Sequence, residues 1–453
     1  MASDSRGKRR FRLLGATWII VSMTFLAFTI VDCITPYNVW AWAEDEQLLA
    51  EARERIQVIR RGTVALDFGP GNASKTVVVK QITHAFKFGS DAFFYNYSYT
   101  GAPFNATLNE TYISHFSRLF NYATLPFYMG AYPARQAKLK EMTAMLHAAN
   151  ITVKGHPIIW EKTKQIPGQV EFSTNATYRK EWTEHYIENV LLNHTDVQFW
   201  DLVNEMTHVK NLLLGSTAVE TWENAVAKAR SVRADCTFIA NEFDTIQPGD
   251  AAMSGNDAGV FYDFVERVVD DGHAPDALGF QCHEWMKAWV PMKDIIDTFD
   301  SFGRFKIPLH ITEFDPGSMG YYGGDRSIRR GPMTEASQAE LAIKAYTMFF
   351  SHPAVDAVSW WSFLEDPWWQ PELGDYMLSQ TGRILPIYDA LYDLIHVQWN
   401  SSRIVTLDGA GRCTFTGFYG NYTATITGSL PVPFAIVDTR VPSQRPWTTK
   451  DVI

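Results

Sequence analysis

Phe199-Trp200-Asp201-Leu202-Val203-Asn204-Glu205 is an apolar run that ends in an Asn-Glu pair, and Ile307-Pro308-Leu309-His310-Ile311-Thr312-Glu313 is a second run ending in a glutamate. Both belong to a longer rhythm. Eight short apolar runs fall near 85–91, 119–125, 151–159, 197–204, 236–241, 277–283, 306–312 and 356–363. Most are separated by amphipathic stretches such as 134–149, 177–192, 218–233, 261–271 and 335–350. Strands alternating with helices predict a parallel sheet, and eight such units predict an α/β fold, a (β/α)8 TIM barrel over residues 84–397. Active sites in that architecture sit at the C-terminal ends of the strands. Glu205 and Glu313 close the fourth and seventh runs, so both are expected at the mouth. A pair of carboxyls there is what double displacement at a glycosidic carbon requires: one acid/base and one nucleophile.

The flanks read differently. Residues 61–83 suggest two strands about a turn at Gly69-Pro70-Gly71-Asn72, and 398–453 contain three or four more short strands before a tail. The two flanks are expected to pair into one small β-rich accessory module. Residues 13–31 carry no charge over a length close to that needed to span a bilayer. A basic tail, residues 1–12, precedes them with Arg6, Lys8, Arg9, Arg10 and Arg12. The charge asymmetry predicts a transmembrane anchor of type II orientation, followed by a juxtamembrane stalk over 32–60, helical from about Glu44. A cleavable signal peptide is the rival reading, with Ala41-Trp42-Ala43 as the cleavage motif, although that motif lies well past the apolar run. Either way the body is expected in the secretory lumen or outside the cell. Nine Asn-x-Ser/Thr sequons, at Asn72, Asn96, Asn105, Asn109, Asn150, Asn175, Asn193, Asn400 and Asn421, agree with that.

Net charge is −10, and residues 1–12 hold five cations against Asp4, or +4, which leaves −14 for the rest. That sign excludes a nucleic-acid partner. Of four cysteines Cys33 lies at the membrane boundary; Cys236, Cys282 and Cys413 allow one bridge among them, Cys236–Cys282 being one possibility. No spacing suits a metal. Aromatic residues make up 14% of the chain with 15 tryptophans, consistent either with a bulky core or with a cleft that stacks on sugar rings.

Six motifs, in order, resemble glycoside hydrolase family 10, the endo-β-1,4-xylanase family, over roughly residues 50–395. They are Gly155-His156-Pro157-Ile158-Ile159-Trp160, Trp200-Asp201-Leu202-Val203-Asn204-Glu205, Asn241-Glu242-Phe243-Asp244, Gln281-Cys282-His283, Ile311-Thr312-Glu313-Phe314-Asp315, and Trp360-Trp361 with Trp368-Trp369. The resemblance implies retention of anomeric configuration, with the carboxyls about 5–5.5 Å apart. It implies Glu205 as acid/base and Glu313 as nucleophile, with Gln281 and His283 orienting them and Asn204 bonding the sugar 2-hydroxyl. His156, Trp160, Trp361 and Trp369 would line the sugar site. Asn241-Glu242 is a second Asn-Glu pair at a strand end and competes with Glu205 on spacing alone; the family pattern assigns it to binding or structure.

The chain departs from that pattern after the second strand. Thr124-Leu125-Pro126-Phe127-Tyr128-Met129-Gly130-Ala131-Tyr132 replaces polar groups that would grip non-reducing-side sugars, leaving Tyr128 and Tyr132 to stack on a ring. Glu161 replaces a histidine and is expected to place a third carboxylate near Glu205. The implied substrate is a xylan-like β-1,4-polysaccharide, hydrolysed by a monomer that needs no cofactor. A transglycosylase acting on the cell's own wall glycan and a non-catalytic carbohydrate-binding surface protein are the alternatives.

Overall fold

The structure, a computed structural model, describes residues 39–95, 105–208, 213–323, 328–329, 331–367 and 371–438. The apolar run at 13–31 lies outside them; among the described residues no helix is long and apolar enough to cross a membrane. The chain opens with helix α1 (Val39–Ile59), followed by β1 (Arg61–Asp67) and β2 (Thr76–His84). The barrel strands are β3 (Lys87–Asp91), β4 (Tyr122–Pro126), β5 (Thr152–His156) continued by β6 (Ile159–Trp160), β7 (Phe199–Asn204), β8 (Thr237–Glu242), β9 (Ala277–Phe280), β10 (Leu309–Phe314) and β11 (Val355–Trp360). Every adjacent pair is parallel, and pairing of β5 with β7 closes the ring. All eight expected strands are present. The third is interrupted: Pro157 has no N–H to donate, and Ile158 re-enters the ladder by bonding the Asp201 carbonyl at 2.9 Å.

Helices α2 (Ala106–Leu119), α3 (Tyr132–Ala148), α4 (Ala176–Asn193), α5 (Ala218–Val232), α6 (Asp257–Asp270), α7 (Met292–Gly303), α8 (Glu335–Ser351) and α9 (Pro386–Asp393) surround the strands. Several of their starts are set by side-chain caps: Asn105 accepts from the Leu108 N–H, Thr217 from Glu220, Asn256 from Gly259, and Thr334 closes a reciprocal capping box with Ser337. The barrel's lower lumen is filled by Tyr122, Phe199 and His310, with the Lys87 ammonium over the Phe199 ring. Trp200, Trp222, Trp285, Trp289 and Trp360 are fully buried, so these five tryptophans serve packing rather than a cleft. Cys236, Cys282 and Cys413 are free thiols, which rules out the Cys236–Cys282 bridge.

Residues expected as a stalk instead dock on the barrel. Leu49, Ala52 and Ile56, spaced three and four apart, bury one face of α1 in the main core. At one end the Asp45 carboxylate accepts from Trp289 Nε1 at 2.9 Å and from the first backbone N–H of α7, that of Met292, at 2.7 Å. At the other, Arg60 donates to the carbonyls of Phe350, His352 and Val355. Met292 follows the sixth strand and Val355 begins the eighth, so α1 runs from the end of the barrel that holds the strand C-termini to the opposite end.

There the flanks pair as expected. With β12 (Arg403–Thr406), β13 (Arg412–Phe418), β14 (Gly420–Ile426) and β15 (Val432–Ile436), the order is β12-β2-β14-β15, and β1 pairs antiparallel with β13. A separate small core of Val77, Val79, Leu407, Phe415, Tyr422, Ala424, Ile426 and Ile436 fills the module. Because β2 leads directly into β3, the module sits at the end away from the strand C-termini.

Candidate active site

Four strand ends converge on two carboxylates. Glu205 is the first residue beyond β7 and has φ 56°, a left-handed conformation that costs a non-glycine residue roughly 1–2 kcal/mol and is held by its N–H bond to the Asn241 carbonyl at 2.8 Å. Its side chain accepts from Trp160 Nε1 (2.9 Å), Gln281 Nε2 (3.2 Å) and Asn204 Nδ2 (3.3 Å). Glu313, in β10, accepts from Asn241 Nδ2 at 2.9 Å, and His283 Nε2 lies 3.3 Å from its second oxygen. Asn241 Nδ2 also reaches Asn204 Oδ1 at 2.7 Å, while its own Oδ1 accepts from the Thr312 hydroxyl at 2.6 Å. A continuous line of amides therefore joins the two carboxyls: Glu205 to Asn204, to Asn241, to Glu313. Gly279 makes room for it, since a Cβ there would stand 2.3 Å from Asn241 Oδ1.

The two carboxyls are electrostatically unlike. Burial pushes Glu205 above the ordinary carboxylate range, the nearby Glu313 charge adds to this, and the Gln281 and Trp160 hydrogen bonds oppose it. Burial would raise Glu313 as well, but the His283 hydrogen bond and the charges of His156, His283 and Lys154 outweigh it and hold Glu313 below its ordinary value. His283 is itself anchored by Asp315, whose carboxylate accepts from Nδ1 at 2.8 Å. Burial would strip its proton, yet Asp315 and Glu313 together keep the imidazole well above its usual pKa. One carboxyl is thus tuned to hold a proton and the other to stay ionised, the separation that acid/base and nucleophile roles need.

Beneath this layer Lys154 and His156 both meet Asp201, each at 2.7 Å and all three buried. Burial disfavours the Asp201 charge, but Lys154 and His156 keep it ionised. Gly155 lies between them because the Trp200 ring would be 2.1 Å from any Cβ. His156 also enters an aromatic wall. Tyr128 and Trp361 meet its ring edge-on at 5.7 and 5.5 Å, Tyr128 lies 5.7 Å from Trp160, and Phe93 lies 5.1 Å from Trp361.

The structure therefore brings together Glu205, Glu313, Asn204, Gln281, His283, His156, Trp160 and Trp361; Trp369 lies outside the described residues. Glu242 is removed as a competitor: fully buried, it accepts from the Thr207 N–H and hydroxyl and from His208 Nδ1, bracing the turn after Glu205. Two expectations fail. Tyr132 is buried against Phe127, Tyr186 and His194 and offers no sugar a face. Glu161 turns from the pair, and its carboxylate accepts from the Leu213 N–H at 2.5 Å; burial lifts its pKa to about 7. Alternation places residues 160 and 161 on opposite sides of the strand, which is why Trp160 rather than Glu161 reaches Glu205. Sequence reasoning did not single out Asn241 as the bridge, nor the supporting Asp201, Lys154 and Asp315. The signal was present in the polar residues at strand ends within the quoted motifs.

The fold and a paired-carboxylate mouth define a barrel of glycosidase type. Residues 133–393 match the pattern of glycosyl hydrolase family 10, and the chain belongs to that family. It is 24% identical over 285 residues to the anti-sigma-I factor RsgI6 of Acetivibrio thermocellus, covering 61% of this chain and 33% of that protein. It is 23% identical over 241 residues to endo-1,4-beta-xylanase B of Thermotoga neapolitana, covering 49% and 62%. The chain thus spans a third to three fifths of these curated relatives. The crystal structure of native xylanase 10B from Thermotoga maritima superposes with TM-score 0.57 at 19% identity, over 69% of this chain and 96% of that one, a likeness of fold.

Proposed function

We propose that this protein is a retaining endo-β-1,4-glycosidase acting on a xylan-like polysaccharide. Glu205, held protonated by burial, donates to the leaving glycosidic oxygen while ionised Glu313 attacks the anomeric carbon; the C–O bond breaks and a glycosyl ester forms. Glu205, now a carboxylate, takes a proton from water, whose oxygen displaces Glu313 and restores both groups. Asn204, held by Asn241 and Gln281, is placed to bond the sugar 2-hydroxyl. Trp160, Tyr128 and Trp361 offer rings for stacking. The observation that carries the reading is the opposed tuning of two carboxyls joined by one amide line. The test is turnover of an aryl β-xyloside and of xylan by Glu205→Gln and Glu313→Gln. Each is expected to lose roughly 1,000-fold or more; wild-type rates in both would refute the assignment.

We also propose that residues 13–31 anchor the chain in a membrane, with the catalytic body on the lumenal or outer side. The basic tail before that run and the sequons after it support this. Asn109 is an exception among the sequons, being only 8% exposed within α2. Protease protection of the body in sealed microsomes, abolished by detergent, is the expected result, and digestion of the body without detergent would contradict it.

A further inference from the structure

One cation beside the mouth belongs neither to the hydrogen-bonded carboxylate cluster nor to the aromatic wall. Lys162 follows Trp160 by two residues, and its ammonium lies 4.7 Å from the centre of the Trp160 ring, the same indole whose N–H bonds Glu205. The side chain is exposed, as is that of Lys164. Neither ammonium is engaged in an ion pair among the described residues. The loop presenting them is fixed. Gln165 N–H closes a turn on the Lys162 carbonyl at 2.9 Å, Gly130 N–H bonds the Gln165 carbonyl at 2.9 Å, and Lys164 is held at φ 73°.

Stacking on an indole does not neutralise an ammonium; an exposed cation–π contact is worth only about 0.5–1 kcal/mol. The chain beyond its basic tail carries −14. A positive charge without an ion-pair partner beside an otherwise acidic body is a local well for an anion, and a glycan bound at Glu205, to which the Trp160 N–H is bonded, brings its substituents within reach of it.

We propose that Lys162 is an anion-recognising contact of the substrate site, and that the glycan accepted there bears a carboxylate or sulfate group beside the cleaved linkage. This rests on the glycosidase reading and names the chemical class of its substrate. Because the Lys162 charge also acts on Glu205, the informative quantity is a ratio rather than a rate.

The experiment uses the full chain and two pairs of oligosaccharides. One pair is xylo-oligosaccharide branched with glucuronic acid and its carboxyl-reduced form; the other is O-sulfated xylo-oligosaccharide and its desulfated form. In at least one pair the charged member is expected to have kcat/KM about tenfold above the neutral one. The preferred pair identifies the carboxylate or the sulfate as the source. Lys162→Gln should abolish the preference and Lys162→Arg should keep it. Absence of preference in both pairs, or a preference unchanged in Lys162→Gln, overturns the proposal. Calorimetric binding to the Glu313→Gln chain separates the two readings. Lys162-dependent affinity for a charged oligosaccharide without wild-type turnover would sink the hydrolase and keep the anion contact. Turnover of neutral oligosaccharide without charge preference would do the reverse.

Discussion

On one side of the barrel mouth the ends of strands four to seven carry Asn204, Glu205, Asn241, Gln281, His283 and Glu313, each bonded directly to another member. On the other side, strands one, two, three and eight end in Phe93, Tyr128, His156, Trp160 and Trp361, which meet as rings. The first half fixes positions through buried hydrogen bonds and shifts the two carboxyls in opposite directions. The second half offers faces, which tolerate variation in the sugar that lies on them. On the proposed mechanism chemistry and substrate choice are carried by different walls, and the second-strand loop, where the sequence departs from the family pattern, lies in the wall that does not perform the chemistry.

The separation can be broken most severely at Asn241. Asn241→Ala cuts the amide line between the carboxyls, and steady-state kinetics should show kcat reduced roughly 100-fold or more with KM little changed. A loss below threefold would mean that the line does not position the pair. Gly279→Ala tests the same link without touching a polar group. Its Cβ would press on Asn241 Oδ1, so kcat should fall about tenfold or more through misplacement alone. Unchanged kcat would show that Asn241 can yield.

A pH profile sharpens the electrostatic side. The proposed mechanism needs Glu205 protonated and Glu313 ionised. Activity is then lost as pH rises through the raised Glu205 pKa and as pH falls through the lowered Glu313 pKa, giving a bell wider than two ordinary carboxyls would produce. Trp160→Phe removes a donor that favours ionised Glu205. The basic limb of kcat/KM should therefore move to higher pH; a move to lower pH contradicts the assignment. In the aromatic wall, Tyr128→Ala should raise KM about three- to tenfold and change kcat less, since stacking is worth roughly 0.5–1.5 kcal/mol and binds ground and transition states alike. A kcat effect matching that of Asn241→Ala would erase the distinction between the walls.

The smallest effect is on stability. Glu161 has a folded pKa of about 7, above its unfolded value, so the fold binds its proton more tightly. Its contribution is present at low pH and lost as pH rises through 7. Glu161→Gln, which keeps an acceptor for Leu213, should melt like wild type near pH 4.5 and be more stable by roughly 1–3 kcal/mol at pH 8. A variant less stable than wild type at pH 8 would show that the charge is needed.

Much of this was legible in the chain because strand and helix periods differ and the barrel repeats them eight times. Strand ends made Glu205 and Glu313 candidates, and the ordered motifs around them singled them out. What periodicity cannot convey is which polar atoms meet across strands. Asn241 and Glu242 look equivalent to Asn204 and Glu205 in sequence. Only the closed ring shows Asn241 bridging the pair while Glu242 braces a turn. The same limit applies to Tyr128 and Tyr132: four residues apart, one faces the mouth and the other a helix. The docking of α1 was hidden because, among the described residues, its buried apolar face is Leu49, Ala52 and Ile56, short enough to read as a linker.

Mass spectrometry after incubation with an activated 2-deoxy-2-fluoro-β-xylobioside tests double displacement most directly, since the fluorine slows release of the glycosyl ester. The expected result is one adduct, on the peptide containing Glu313, absent from Glu313→Gln. An adduct on Glu242 or another carboxyl, or steady turnover of xylan with no adduct at all, would contradict the account.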